Sequence, residues 1–201
     1  MRKIIRVTAV AGALLCALTA GSTGADAQDR PAEQALPAAA AIVWNYDGVF
    51  RIHSSANDRC LDADEGTLND NRTKVQLWNC GDNSDTNQLW KVYESSDHVY
   101  EAFLNVAGGR WLDADKNTIH GNGTTVQLWE WAGGWNQVWL KNCGAYCTFG
   151  TADDEGRDPQ DVPRLLDADS NTIGGNGTKV QLWQDVGGSN QHWYFELVQA
   201  P

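Results

Sequence analysis

Three tetrapeptides decide the fold: Asn87-Gln88-Leu89-Trp90, Asn136-Gln137-Val138-Trp139 and Asn190-Gln191-His192-Trp193. Each closes a longer unit. Before them stand Val75-Gln76-Leu77-Trp78, Val126-Gln127-Leu128-Trp129 and Val180-Gln181-Leu182-Trp183. Earlier still come Leu61-Asp62-Ala63-Asp64, Leu112-Asp113-Ala114-Asp115 and Leu166-Asp167-Ala168-Asp169. The first Asp precedes the Val-Gln-Leu-Trp glutamine by 14 residues in every copy, and the copies are offset by 51 and 54 residues. Three motifs recurring in one order at matched spacing mark an internal repeat.

Each copy reads as β structure. Val75 and Leu77 alternate with Gln76 and Trp78, and alternate residues of a strand share a face. The aliphatic pair is expected on the core, with Gln76 and Trp78 on the opposite side. Asn122-Gly123 and Asn176-Gly177 suit tight turns that need positive φ. The first copy has Asn71-Arg72 there, so a different turn is expected. No stretch carries a 3.6-residue period, which predicts almost no helix. One unit of roughly 50 residues cannot bury its own apolar face, but three can share a core. The expectation is an all-β, threefold closed barrel with Trp90, Trp139 and Trp193 inside it.

The flanks bound the context. Arg2, Lys3 and Arg6 precede an apolar run from Val7 to Leu18, and Ala25-Asp26-Ala27 fits a small-x-small cleavage site. Residues 1–27 therefore read as an export signal, a lipid anchor on Cys16 being the disfavoured alternative after Leu15. The run is too short for a membrane span, and no later stretch reads as transmembrane. Residues 28–42 read as a linker or arm, and 43–201 as one domain with lobes at about 43–95, 96–141 and 142–201. Loss of three cations and one anion with the signal takes the formal charge from −11 to −13. Such a surface disfavours nucleic acid and suits a secreted, extracellular protein. Cys60, Cys80, Cys143 and Cys147 then remain, an even number in an exported chain, which reads as disulfides rather than metal or redox use. Four cysteines allow three pairings; the expected pairs are Cys60–Cys80 and Cys143–Cys147. His53, His98, His120 and His192 are scattered, so no metal site and no cofactor are expected.

With these motifs in order, the chain resembles the ricin B-type lectins, carbohydrate-binding β-trefoils marked by a Gln-x-Trp in each of three lobes. The likeness runs from about Val43 to Val198. It implies a β-trefoil with pseudo-threefold symmetry and up to three sugar sites. Each site takes an Asp, the Gln and Trp of Gln-Leu-Trp, and an Asn-Gln pair. In lobe 1 these are Asp62, Gln76, Trp78, Asn87 and Gln88. Lobe 2 offers Asp113, Gln127, Trp129, Asn136 and Gln137, and lobe 3 offers Asp167, Gln181, Trp183, Asn190 and Gln191. The family's inter-strand disulfide matches Cys60 and Cys80. Lobe 2 has Trp111 and Trp131 at those positions, and lobe 3 has Leu165 and Asp185. Trp135 stands directly before Asn136, as a platform extension or a plug. Thr151 to Pro163 form an insert in lobe 3.

These residue types suit a neutral sugar, glycan or polysaccharide. A carboxylate accepts charge-assisted bonds from vicinal hydroxyls, and amides serve as donor or acceptor. An indole covers the apolar sugar face at little entropic cost. One shallow pocket is expected to bind at about millimolar, near −4 kcal/mol. Three on one body could add avidity of ~10²–10⁴-fold. The bland alternatives are that Asp62, Asp113 and Asp167 only form turns, and that Trp78, Trp129 and Trp183 only pack. Asp64, Asp115 and Asp169 read as turn residues. The glutamines at 88, 137 and 191 are expected to orient the Asp and brace the fold.

Three rival functions follow from the same residues. Asp113-x-Asp115-x-Asn117 and Asp167-x-Asp169-x-Asn171 resemble the start of a calcium loop, but Thr118, Thr124, Thr172 and Thr178 occupy the positions that need Gly and an acid. A glycosidase reading founders on carboxylates repeated in equivalent settings, so no enzyme is expected. A protein-binding trefoil (inhibitor, adhesin or non-catalytic toxin subunit, with a separate protein partner) is the third, since the fold hosts all of these.

Overall fold

The computed structural model describes residues 42–68, 70–153 and 164–201. The expected export signal, nearly all of the expected arm and residues 154–163 of the insert lie outside the described residues. Among the described residues there is no α-helix, only short 3-10 turns. Among these residues no helix is long and apolar enough to cross a membrane.

Twelve strands fall into three sets of four. Lobe 1 has β1 (Trp44–Ser54), β2 (Cys60–Ala63), β3 (Thr73–Trp78) and β4 (Leu89–Ser95). Lobe 2 has β5 (Tyr100–Asn105), β6 (Trp111–Ala114), β7 (Thr124–Trp129) and β8 (Trp139–Cys143). Lobe 3 has β9 (Cys147–Thr151), β10 (Arg164–Ala168), β11 (Thr178–Gln184) and β12 (Trp193–Gln199). The outer strands of each lobe form a closed antiparallel ring in the order β1, β4, β5, β8, β9, β12 and back to β1. The inner strands form three hairpins, β2–β3, β6–β7 and β10–β11. Their second strands touch one another pairwise, so the hairpins close one end of the ring as a triangle. This is a β-trefoil. Ring closure leaves the barrel no open edge, which removes a route to aggregation.

The core follows from the alternation. Val75 and Leu77 are buried, as are Val126, Leu128, Val180 and Leu182 at the matched positions. Trp90, Trp139 and Trp193 are fully buried, and their indole N–H groups donate to Leu61, Leu112 and Leu166 carbonyls at 3.0, 3.2 and 3.0 Å. Each therefore ties the first ring strand after the site to the first hairpin strand of its own lobe. Burying so large a side chain without orphaning its N–H lets one residue type fill the barrel in threefold repetition.

Both expected disulfides are formed, Cys60–Cys80 and Cys143–Cys147. The first ties β2 to the loop after β3. The second closes the turn between β8 and β9, where the two cysteines face each other in register. Where lobe 1 has its bridge, lobe 2 packs Trp111 against Trp131 with ring centroids 4.6 Å apart. Lobe 3 has neither device. Its Asp185 accepts the Gly187 N–H instead.

Candidate functional site

Each lobe brings its five predicted residues together at the base of its hairpin. Asp62 faces Gln76 across the β2–β3 ladder, Asp113 faces Gln127, and Asp167 faces Gln181. This follows from the 14-residue spacing, which places Asp and Gln in register on the face away from the core. The glutamine Nε2 donates to Oδ1 of its aspartate at 3.0, 3.0 and 3.2 Å in lobes 1 to 3. A 3-10 turn then carries the Asn-Gln pair back over the carboxylate: Thr86–Gln88, Trp135–Gln137 and Ser189–Gln191. Asn87, Asn136 and Asn190 donate to Oδ2 at 2.9, 2.7 and 2.7 Å and to the following alanine carbonyl at 3.1, 3.0 and 3.1 Å.

The glutamines of Gln-x-Trp have a different role. Gln88, Gln137 and Gln191 are buried, and each clamps the preceding loop at both ends of its amide. Gln88 Oε1 accepts the Gly81 N–H and its Nε2 donates to the Asn79 carbonyl. Gln137 does the same with Ala132 and Glu130, and Gln191 with Val186 and Gln184. Gln88 Nε2 also reaches Asp62 Oδ2 at 3.0 Å. These glutamines brace the loop and orient the carboxylate from behind.

The electrostatics set the acid apart from an ordinary surface carboxylate. Asp62, Asp113 and Asp167 are each about 3–4 % exposed. Burial disfavours the charged form and outweighs the amide bonds, so the Asp62 carboxyl is pushed up. Asp113 and Asp167 are pushed up to about 6 for the same cause. A carboxylate has about four acceptor positions, and side-chain amides fill three of them in lobe 1 and at least two in lobes 2 and 3. Beside it stands an indole: Trp78 is 42 % exposed, Trp183 37 %, and Trp129 is half-buried. Open pockets in lobes 1 and 2 contain these groups. Trp135 does not line the lobe 2 pocket; it leans on Tyr100 with centroids 5.8 Å apart.

Asp115 and Asp169 have a local account. Each accepts the backbone and side-chain N–H groups of Asn117 or Asn171, which makes an Asx turn. Asp64 accepts the Thr67 hydroxyl in the same turn. Among the described residues, the His, Cys, Asp and Glu groups close enough to share an ion are His53, Cys60 and Cys80, and both cysteines are in the bridge.

Sequence reasoning missed one part of each site. The hairpin tip of one lobe docks on the site of the next. Asn71 Oδ1 accepts the Glu130 N–H at 2.8 Å, Asn122 that of Gln184 at 2.9 Å, and Asn176 that of Asn79 at 2.8 Å. The following residue donates its N–H to Leu128, Leu182 or Leu77, next to the exposed tryptophan. Arg110 grips Asn71, and Arg59 grips Asn176, from the receiving lobe. Hence lobe 1 supplies a wall of site 2, lobe 2 of site 3, and lobe 3 of site 1. The recurrence of Asn at one offset held this signal, but it read only as turn chemistry.

Comparison with known proteins agrees with the trefoil fold. A sequence model described as "Ricin-type beta-trefoil lectin domain-like" matches residues 40–129. No curated protein matches the sequence. Among solved structures, a designed threefold symmetric protein, ThreeFoil, aligns with TM-score 0.62 at 20% identity over 74% of this chain and 98% of its own. An exo-β-1,3-galactanase from Clostridium thermocellum aligns with TM-score 0.62 at 25% identity over 75% of this chain, which spans 30% of the enzyme. A Macrolepiota procera ricin B-like lectin in complex with lactose aligns with TM-score 0.58 at 15% identity, over 76% of this chain and 97% of its own. The family match covers lobe 1 and most of lobe 2, and the recurring motifs and the trefoil carry the same likeness to ricin B-type lectins into lobe 3.

Proposed function

We propose that this chain is a secreted, non-catalytic sugar-binding protein whose lobes act together on a glycan or polysaccharide. One observation carries the reading: a buried carboxylate beside an exposed or half-buried indole, three times over, with amides fixing its orientation. Burying a carboxylate costs free energy that a merely structural turn would avoid. The amides leave acceptor capacity on a carboxylate that lines the pocket, and the indole offers a face to C–H groups. The lactose complex of the Macrolepiota procera lectin supports a sugar as the ligand class.

The sites reduce to Asp62, Gln76, Trp78 and Asn87 in lobe 1, with Asp113, Gln127, Trp129 and Asn136, and Asp167, Gln181, Trp183 and Asn190, in the others. Gln88, Gln137 and Gln191 act from behind them. A glycan array of the chain lacking residues 1–27 tests the proposal. Binding should persist in excess chelator and proceed without hydrolysis of the bound polysaccharide. Single Asp62→Ala, Asp113→Ala and Asp167→Ala variants should lose avidity stepwise. Unchanged binding in the folded triple variant would refute it.

A further inference from the structure

The three pockets share a frame but differ at the rim. The hairpin tip that walls site 1 carries Gly177 and the tip that walls site 3 carries Gly123, both at positive φ. A methyl group on either would lie 3.9 Å from the tryptophan of the receiving site, Trp78 or Trp183. The tip that walls site 2 carries Arg72 instead, at φ +72, where a non-glycine residue is strained. Its guanidinium lies 5.7 Å from the ring centroid of Trp129. A second exchange falls in the turn after the site aspartate. Lobe 1 has Glu65, lobe 3 has Ser170, and lobe 2 has Lys116. The third lies before the Asn-Gln pair. Asp85 of lobe 1 is replaced by Gly134, where a methyl group would meet Asn136 Oδ1 at 2.3 Å and Lys116 Nζ at 2.9 Å.

These exchanges change the charge of the rim. The lobe 1 pocket is lined by Asp62, Asp64, Glu65 and Asp85 with no cation among its lining residues. Lys74 stands at its edge, near Gly177. In lobe 3 the matching Lys179 is spent on the Gly123 carbonyl at 2.9 Å, and in lobe 2 the position is Thr125. The lobe 2 pocket sets Arg72 and Lys116, both exposed, against Asp115 at the rim and buried Asp113 at the floor. The floor also has an unmet demand. Asn136 is 4 % exposed, its Nδ2 is committed to Asp113 and Ala114, and its Oδ1 is buried without a hydrogen-bond partner. That oxygen calls for a hydroxyl donor.

We propose that the lobe 2 pocket takes a sugar bearing a carboxylate, a hexuronic acid residue, while the lobe 1 pocket takes neutral sugars. The proposal rests on the sugar-binding reading above. A ring hydroxyl meets Asn136 Oδ1, the sugar face meets Trp129, and the carboxylate meets the guanidinium fork of Arg72 with Lys116 beside it. Arginine suits this task because its planar donors match a carboxylate two at a time. The acidic rim of lobe 1 repels the same ligand.

The test is a titration of the ¹⁵N-labelled chain, as residues 28–201, with methyl glucuronide and methyl galacturonide and with their neutral parents. The uronides should shift Trp129, Gly134 and Asn136 signals, binding lobe 2 about tenfold more tightly than the neutral glycosides, the weight of one charged contact. High salt should weaken that preference. Arg72→Gly installs the residue that the other two tips carry, and Lys116→Glu echoes lobe 1; each should abolish the preference. If Arg72→Gly instead strengthens neutral sugars in lobe 2 and spares uronides, the guanidinium is a lid on Trp129 and the proposal falls. Equal uronide shifts in lobes 1 and 2 also overturn it. Neutral sugars that titrate lobe 1 without any uronide preference in lobe 2 sink this inference alone. Silence of every pocket with every ligand sinks the sugar-binding reading as well.

Discussion

Lobes 1 and 2 solve one mechanical problem with different chemistry. In both, the loop after the exposed tryptophan must be held against the first hairpin strand so that Asn reaches the buried Asp. Lobe 1 uses the Cys60–Cys80 bridge. Lobe 2 uses Trp111 on Trp131, and Trp111 also packs against Tyr93 at 5.3 Å. Yet the Asn–Asp contact ends within 0.2 Å, 2.9 against 2.7 Å. The position of the site is therefore fixed by the threefold frame, and what pins the loop is replaceable. The difference lies in what each device depends on: lobe 1 on an oxidising environment, lobe 2 on apolar burial.

The sharpest way to break this comparison is Trp111→Ala. The side chain is 1 % exposed, so truncation should cost about 3–5 kcal/mol. For a domain of this size that lowers Tm by roughly 10 °C. A loss under about 1 kcal/mol in thermal or denaturant unfolding would mean the aromatic pair does not replace the bridge. Next is the bridge itself. It spans 20 residues of sequence, and opening it in Cys60→Ala/Cys80→Ala should cost about 3 kcal/mol. Sugar titration should then weaken in lobe 1 and stay intact in lobe 2. Equal weakening in both lobes would show that the lobes are not pinned independently.

Much of this contrast was legible beforehand, and the reason is periodicity. A 14-residue spacing puts Asp62 and Gln76 in register on one face, so both the strand pairing and the first site contact follow from counting. Trp90, Trp139 and Trp193 announce the core because identical large residues at matched positions can only be equivalent if they share one interior. The bridge positions were legible as well, with their replacement by tryptophans. What did not show was contact between lobes. No offset within a repeat says that Asn71 docks on Glu130, because the tip crosses to a neighbour whose position depends on barrel closure. Asn71-Arg72 led to the expectation of a different turn, but Arg72 takes the same positive φ and the same backbone bond as Gly123 and Gly177, and only the closed trefoil brings it to Trp129. The double duty of the Gln-x-Trp glutamines was foreseen, but not that their amides are filled at both ends by loop backbone.

A subtler comparison is between the charge of the site and the stability of the lobe that holds it. Asp113 and Asp167 have carboxyls pushed up to about 6 from 3.8 by burial. A raised carboxyl favours the folded state in its protonated form. That contribution is fully present below 3.8 and is lost as pH rises through about 6. On the proposed sugar-binding reading, function runs the other way, since the ionised carboxylate is the stronger acceptor for a sugar hydroxyl. Between pH 7 and pH 5, affinity at lobes 2 and 3 should fall by about tenfold while these two groups make the fold no weaker. Calorimetric titration and thermal melts across that range separate the two effects. If affinity and Tm fell together, the carboxylates would be acting through the fold and not on the ligand.

The smallest expected effect tests the barrel wall. In β1 of lobe 1, Phe50 faces Trp90; in β5 of lobe 2 the matched residue facing Trp139 is Glu101. Glu101 is 4 % exposed and pairs with Lys141 at 3.0 Å, and Lys141 is shared with Glu94. Burial wins over the ammonium and pushes the Glu101 carboxyl up to about 7. One of its oxygens, Oε2, is buried without a hydrogen bond. By the same sign, the stability tied to its proton is complete below 4.5 and lost as pH rises through about 7. Glu101→Gln holds the neutral shape at every pH, and Lys141 keeps Glu94. The variant should therefore gain on the order of 1 kcal/mol over the parent chain at pH 8, the gain vanishing near pH 4. A variant less stable than the parent at pH 8 would show that the Lys141 pair outweighs burial. Lobe 2 would then be held at its wall by charge, where lobe 1 is held by a phenyl ring.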